Sequence, residues 1–207
     1  MANVLMSEKC RLCRASGGKL FLKGERCFTK CPIDRRGAVP PGQHGAKRHQ
    51  KPSDYGLRLA EKQKLKRSYN VLEKELKKYF LEARKVPGAT GEALMQILET
   101  RLDNLVYRLG FATSRRFARQ LVSHKHILLE GQKVNVPSVR VKPGQVVALT
   151  EEALKIPEVK KALEKKDFKV PNWLERKAAV GKLVRLPKRE EIESPVNEQL
   201  IVEYYSR

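Results

Sequence analysis

Four cysteines occur in the 207 residues, and all stand within the first 31: Cys10, Cys13, Cys27 and Cys31, in the pattern C-x2-C-x13-C-x3-C. Two sulfurs separated by two residues can reach one ion, and a second pair closes a tetrahedron around it. The pattern reads as a structural site for one Zn2+ held by four thiolates, with no coordination position left open for catalysis. Lys9, Arg11, Arg14, Arg26 and Lys30 surround the cysteines and would offset the negative charge of such a centre. Two disulfides are the competing reading. They are disfavoured because the start, MANVLMSEKC, lacks the basic residues, apolar stretch and cleavage site of a secretion signal, which points to a reducing compartment. An iron–sulfur cluster is the alternative metal centre.

A second chemistry is anion binding by clustered cations. Residues 32–53, PIDRRGAVPPGQHGAKRHQKPS, contain seven Pro or Gly and the cations Arg35, Arg36, Lys47, Arg48 and Lys51, with His44 and His49 among them. A loop this long is uncommon in a compact domain unless it has a task. Its glycines let backbone amides approach a surface, so it suits a segment laid along a nucleic-acid backbone; a plain disordered linker is the rival reading. Farther on, Ser114 is placed to cap a helix, RRFARQLVSHKH. At 100° per residue, Arg115, Arg116 and Arg119 share one arc of about 100°, opposite Phe117, Ala118 and Leu121. Arginine donates two parallel hydrogen bonds to phosphate. These arginines stand in the first turns, where the helix dipole disfavours positive charge, and that misfit points to an anionic partner.

The whole composition agrees. With 44 Lys+Arg against 23 Asp+Glu the formal charge is +21, too large a surplus to be explained by solubility alone. Residues 1–50, 51–100, 101–150 and 151–207 carry net charges of +8, +4, +7 and +2. Two electropositive blocks thus flank a helical stretch, the footprint expected for a polyanionic partner. No apolar run approaches the roughly 20 residues of a membrane span. Catalysis is not expected. The four aspartates (Asp34, Asp54, Asp103, Asp167) and four histidines (His44, His49, His124, His126) form no recognisable constellation, and no cysteine remains outside the cluster to act as nucleophile. A zinc-dependent DNA-binding regulator is a rival, weakened by the lack of a finger-type helix after the cysteines.

The elements that must position these groups follow from periodicity. Ser53 is a candidate N-cap for DYGLRLAEKQKLKRSYN, with Leu57, Leu65 and Tyr69 on one side and Lys62, Lys64, Lys66 and Arg67 over the rest. Leu72, Leu76, Tyr79 and Phe80 mark the inner face of a second helix ended by Pro87-Gly88. A third opens at Thr90 and is expected to continue its apolar face through Leu102, Leu105, Val106 and Leu109 to Gly110. Two turns follow, at Glu130-Gly131-Gln132 and at Lys142-Pro143-Gly144-Gln145, and imply short antiparallel strands on either side of each. Residues 151–166 read as one short amphipathic helix with Ile156, Val159 and Leu163 inward.

The predicted class is α+β: a helical N-terminal domain with a zinc-binding extension, and a small module of two helices packed on a short antiparallel sheet. The expected divisions are 1–52 for the extension and basic loop, 53–98 for the helical domain, completed by 185–207, and 99–184 for the module with a helical extension.

The stretch LDNLVYRLGFATSRRFARQLVSHKHILLEGQKVNVPSVRVKPGQVV resembles the RNA-binding module named after small-subunit ribosomal protein four. CRLCR, RRGAVPPGQHG, KPSDYGLRLAEKQKLKR and the ending SPVNEQLIVEYYSR resemble the bacterial family of that ribosomal protein, in its cysteine-retaining variant, essentially end to end. The resemblance implies a structural protein of the small ribosomal subunit that binds the 5′ domain of small-subunit rRNA at a junction of helices and nucleates assembly of the subunit body. It implies a monomer within the cytoplasmic ribosome, a neighbouring ribosomal protein five and a contribution to translational accuracy; some family members also bind their own mRNA. The mechanism expected beside it is recognition of shape and phosphate charge. Aromatic residues are 6% of the chain, and no stretch carries the paired aromatics of a base-stacking platform. The expected RNA contacts are Arg35, Arg36, His44, Lys47, Arg48 and Lys51 in the loop, Lys62, Lys66 and Arg67 on the first long helix, and Arg115, Arg116, Arg119 and Lys125 in the module.

Overall fold

The computed structural model describes residues 8–47, 51–165 and 168–206. In chain order these form α1 (Lys9–Ala15), α2 (Arg26–Thr29), α3 (Pro32–Arg36), α4 (Asp54–Tyr69), α5 (Glu73–Ala83), α6 (Thr90–Glu99), α7 (Leu102–Arg108), α8 (Arg115–Ser123), β1 (Ile127–Leu129), β2 (Gln132–Val134), β3 (Val146–Leu149), α9 (Glu151–Leu154), α10 (Pro157–Glu164), β4 (Leu174–Lys177), β5 (Val180–Leu183), a 3-10 turn (Arg189–Glu191) and α11 (Glu198–Tyr205). The chain divides into two units, residues 1–85 with 195–207, and residues 86–194. The divisions read from sequence fell at 98/99 and 184/185. In the structure residues 86–98 and 185–194 belong to the second unit.

In the first unit, the Ser53 hydroxyl accepts the Gly56 N–H at 3.3 Å and starts α4, and Asn70 ends it in the left-handed region at φ 55°. The Glu75 carboxylate accepts the Leu72 N–H at 3.3 Å at the start of α5. Leu65, Tyr69, Leu76, Tyr79 and Phe80 are buried. The C-terminal helix α11 lies along α4, with Arg58 Nε 2.7 Å from Glu203 Oε2 and the Asn197 N–H on Glu61 Oε2 at 3.0 Å. The Phe80 and Tyr205 rings stack at 4.9 Å. Leu57 and Leu72, expected inside, are 41% and 45% exposed. Leu57 stands in the first turn of α4, and Leu72 precedes α5 in extended backbone, where helical spacing no longer fixes its direction. Lys62 occupies an inward position on α4 instead, at 4% exposure.

In the second unit, the long helix expected through residues 90–110 is broken at Thr100-Arg101 into α6 and α7. The segment before β3 causes the break. The Leu102 N–H donates to Val139 O at 2.8 Å, the Asp103 N–H to Pro137 O at 3.2 Å, and Thr100 O accepts the Val141 N–H at 2.9 Å. A continuous helix would use those donors internally. Ser114 caps α8 through the Phe117 N–H at 3.3 Å. The sheet has the order β2-β1-β3-β5-β4 and is antiparallel throughout. β1 and β2 form a tight hairpin in which Leu129 pairs with Gln132; Glu130 and Gly131 both take positive φ, 50° and 79°, as a type I′ turn requires.

Three expectations change here. The Pro143-Gly144 turn forms, but its arms do not pair: residues 137–141 join the α6–α7 junction, and β3 pairs with β1 and β5. Residues 151–164 make two short helices, because Pro157 begins α10. The β4–β5 hairpin was not expected at all. It places Gly181 where a Cβ would lie 2.5 Å from Leu109 Cδ1, so only glycine fits. Phe111, Trp173, Leu121, Ile127, Val147 and Leu183 are among the residues that fill the core between helices and sheet.

Candidate nucleic-acid interface and cysteine cluster

The four cysteines reach one place from three short helices. α1 carries Cys10 and Cys13, α2 carries Cys27, and Cys31 precedes Pro32 at the start of α3. All four are free thiols and line one cavity of about 20 Å³, together with Leu22, Lys23 and Arg26. The Lys23 N–H donates to Cys27 Sγ at 3.3 Å. Burial pushes the Cys13 and Cys27 thiols up from their ordinary range; backbone hydrogen bonds at Leu20 and Lys23 oppose this, and neighbouring cysteines add to it. Among the described residues no group of three or more His, Cys, Asp or Glu side chains is gathered as a metal-binding cluster. The donor set itself, four sulfurs on one small cavity with backbone N–H donors at two of them, fits a thiolate-binding ion.

The basic loop is a series of tight turns. Arg35 and Arg36 end α3 and are exposed, and Gly37 turns the chain at φ 73°. The Gly45 N–H bonds Gly42 O at 3.2 Å, and the Lys47 N–H bonds His44 O at 3.0 Å. A Cβ on Gly45 would stand 1.9 Å from Pro40 O, so the turn requires glycine. His44, Lys47 and Lys51 are exposed; Arg48 and His49 lie outside the described residues.

The cations of α4 are arranged differently. Lys62, expected as an RNA contact, is buried: Nζ lies 2.8 Å from Glu73 Oε1 and 4.4 Å from the centre of the Tyr204 ring. It is an internal cation and presents no charge to a partner. Lys66 Nζ lies 3.1 Å from Glu73 Oε2, and Arg67 donates to Ser16 Oγ at 2.9 Å. Burial would raise the Glu73 carboxyl, but hydrogen bonds from Lys62, Lys66 and Tyr205 outweigh it and hold Glu73 below the usual carboxylate range. Sequence spacing gave the charge of these residues but not the acid on the next helix.

In the module, α8 presents its arginines against buried acids. Glu99, fully buried, accepts from Arg108 at 2.9 and 3.0 Å and from Asn104 Nδ2 at 2.6 Å. Arg115 Nε donates to Asn104 Oδ1 at 2.7 Å, its NH2 stands 3.9 Å from Glu99 Oε1, and its guanidinium lies 4.8 Å from the centre of the Tyr107 ring. Asp103 takes a two-pronged hydrogen bond from buried Arg101 at 2.7 and 3.0 Å, and Arg119 NH1 stands 3.9 Å away. Arg116, between them, is half-buried, and Lys125 is exposed just past α8. Two of the arginines disfavoured by the dipole of α8, Arg115 and Arg119, are therefore met by internal carboxylates. The sequence reading missed Glu99, Asp103 and Asn104. Their only signal was polar residues at helical spacing inside an otherwise apolar run.

Four basic groups meet two buried acids on the α8 face, and three of them, Arg108, Arg115 and Arg119, are only partly buried, so this face keeps a surplus of positive charge; the loop of the first unit separately carries its own. Each of these faces can bind phosphates. Residues 5–99 match the family described as Ribosomal protein S4/S9 N-terminal domain, and residues 100–147 match the S4 domain. Over 202 residues the chain is 54% identical to small ribosomal subunit protein uS4 of Natranaerobius thermophilus, 57% to that of Dictyoglomus turgidum and 52% to that of Thermus thermophilus. Each alignment covers 96% of this chain and 96% of the relative. With likeness of that depth along both units, the chain belongs to the uS4 family of small ribosomal subunit proteins.

Proposed function

We propose that this chain is a structural, non-enzymatic component of the small ribosomal subunit that binds small-subunit rRNA, and so works where ribosomes do, in the cytoplasm. The observation that carries the reading is the end-to-end match with uS4 proteins, an S4 domain included. The exposed loop cations and the arginine face of α8 are the surfaces that suit such a partner. The finer reading is direct binding at a helix junction in the 5′ domain, early in assembly of the subunit body, by one copy of the chain. Ribosomal protein five is its neighbour and accuracy of decoding its consequence. The resemblance of the motifs quoted above supports each of these. The contacts proposed are Arg35, Arg36, His44, Lys47, Arg48, Lys51, Lys66, Arg67, Arg115, Arg116, Arg119 and Lys125.

Cys10, Cys13, Cys27 and Cys31 would hold one structural Zn2+, which would cross-link three helices too short to be stable alone. Protein purified without chelators then contains about one zinc per chain, and chelation loosens the segment around α1–α3. Protein with no bound metal, or with iron and sulfide in place of zinc, overturns this assignment.

The test of the main reading is equilibrium binding of the full chain to the 5′ domain of small-subunit rRNA in the presence of bulk tRNA. Binding that survives the competitor is the expected result. Equal affinity for the two RNAs contradicts it.

A further inference from the structure

Phe28 is the most exposed large apolar residue among those described, at 68%. Single exposed apolar residues are ordinary. This one is not isolated. Its ring lies 5.0 Å from that of Phe21, at an interplanar angle of 28°, so one face of Phe28 is covered by another aromatic ring and the rest faces solvent. The two residues are seven apart in sequence, and the turn at residues 22–25 between them brings the rings together.

The backbone is bent to hold the pair. Phe21 sits at φ 51°, a left-handed conformation that is an outlier for a bulky side chain and carries a conformational cost. Its neighbours Leu20 and Leu22 are both 3% exposed and pack with Cys13. Those two leucines anchor the strand of backbone, and the strained residue between them directs its ring to the surface. A ring held at a cost and left half open, rather than folded into the apolar cluster beside it, has the form of a contact surface.

The chemistry around the pair selects the occupant. Lys23, Arg26 and Lys30 are exposed next to it in sequence, and Arg26 lies on the same short helix as Phe28. Glu25 is the one acid in the stretch from 19 to 33. An aromatic platform set among cations is how proteins take an unpaired base: the ring stacks on the base and the cations meet the flanking phosphates.

We propose that Phe28, backed by Phe21, stacks on an unpaired nucleobase of the RNA this chain binds. The inference rests on the rRNA-binding reading above and adds an apolar, base-directed contact to a surface otherwise built from charge. A protein neighbour covering the same ring is the competing occupant.

The test uses the full chain and three variants, Phe28→Ala, Phe28→Tyr and Phe28→Trp, titrated with 5′-domain rRNA over a salt series. Phe28→Ala lowers affinity about five-fold or more, the lower end for loss of one stacked base, while the slope of log K against log[salt] stays unchanged because no charge is removed. Phe28→Tyr retains the wild-type affinity. With Phe28→Trp the emission of the new indole changes on binding. Since the ring is exposed, all three variants fold like the parent, and matching thermal midpoints check this. If Phe28→Ala binds like the wild type, the stacking proposal fails; if the wild type itself does not bind the RNA, the underlying functional reading fails instead.

Discussion

The loop at residues 35–51 and helix α8 both carry dense positive charge, but they hold it in opposite ways. In the loop, Arg35, Arg36, His44, Lys47 and Lys51 stand exposed on a chain shaped by Pro and Gly turns. On α8, Arg115 and Arg119 lie against Glu99, Asp103 and Asn104. The first arrangement supplies charge with few constraints on direction; the second gives up part of the charge to fix the direction of the guanidinium forks. A polyanion gains counterion release from the one and geometry from the other. This division means that a count of cations does not identify the residues that give specificity.

The largest expected effect falls on the buried acid. Glu99→Ala takes the buried carboxylate from Arg108 and Asn104, leaving them only the backbone carbonyls of Glu193 and of residue 99, and lowers stability by about 3 kcal/mol. Urea unfolding followed by circular dichroism measures this; a loss under about 1 kcal/mol would show that water replaces the carboxylate and that the arginine face is not held from below. The loop predicts the reverse. Replacing Arg35, Arg36 and Lys47 together by Ala leaves stability within about 0.5 kcal/mol of the parent, since these side chains are exposed. The same change makes the salt slope of rRNA binding shallower by about two to three units. A stability loss as large as that of Glu99→Ala would erase the contrast.

A smaller effect separates α4 from both regions. Lys62→Ala removes an internal cation from Glu73 and Tyr204 and costs about 1–2 kcal/mol, because Glu73 keeps Lys66 and is itself partly exposed. It leaves the salt slope of rRNA binding unchanged, which a phosphate contact at Lys62 would not. The pH dependence follows from the same site. The Glu73 carboxyl is held below its unfolded value, near 4.3. Its contribution is therefore complete above that value and is lost as pH falls through the depressed native one. Thermal midpoints between about pH 4 and pH 2 should fall less steeply in Glu73→Gln than in the parent. Equal acid sensitivity would remove Glu73 from the account.

Much of this was legible in the sequence where local rules govern. Ser53 and Ser114 cap their helices as read. Gly110 stands at φ 73° just past α7, and Gly45 is required by the close approach of Pro40 O. The break at Thr100 was not legible, because its cause is a chain segment 34–41 positions away that pairs with the backbone of the junction. The β4–β5 hairpin was hidden by its charged residues: Glu175, Lys177 and Lys182 face solvent while Leu174, Gly181 and Leu183 face inward, and over four residues per strand that alternation is a weak signal. For the site, residue types pointed to anion binding at both regions. Which cations were available was not legible, since Glu73, Glu99 and Asp103 act across elements and no helical wheel contains them. The Phe21–Phe28 pair was missed for the same reason: the rings are adjacent only after a turn has formed.

The most direct test of the contrast keeps every charge and changes only its shape. The double variants Arg115→Lys/Arg119→Lys and Arg35→Lys/Arg36→Lys would be titrated with 5′-domain rRNA over the same salt series, with folding checked by urea midpoints. Lysine keeps the charge but loses the planar fork. The predicted result is a loss of about ten-fold or more for the α8 pair at every salt concentration with an unchanged slope, and a change under about two-fold for the loop pair. Equal losses at the two sites would contradict the account, because both regions would then be reading the RNA by the same means.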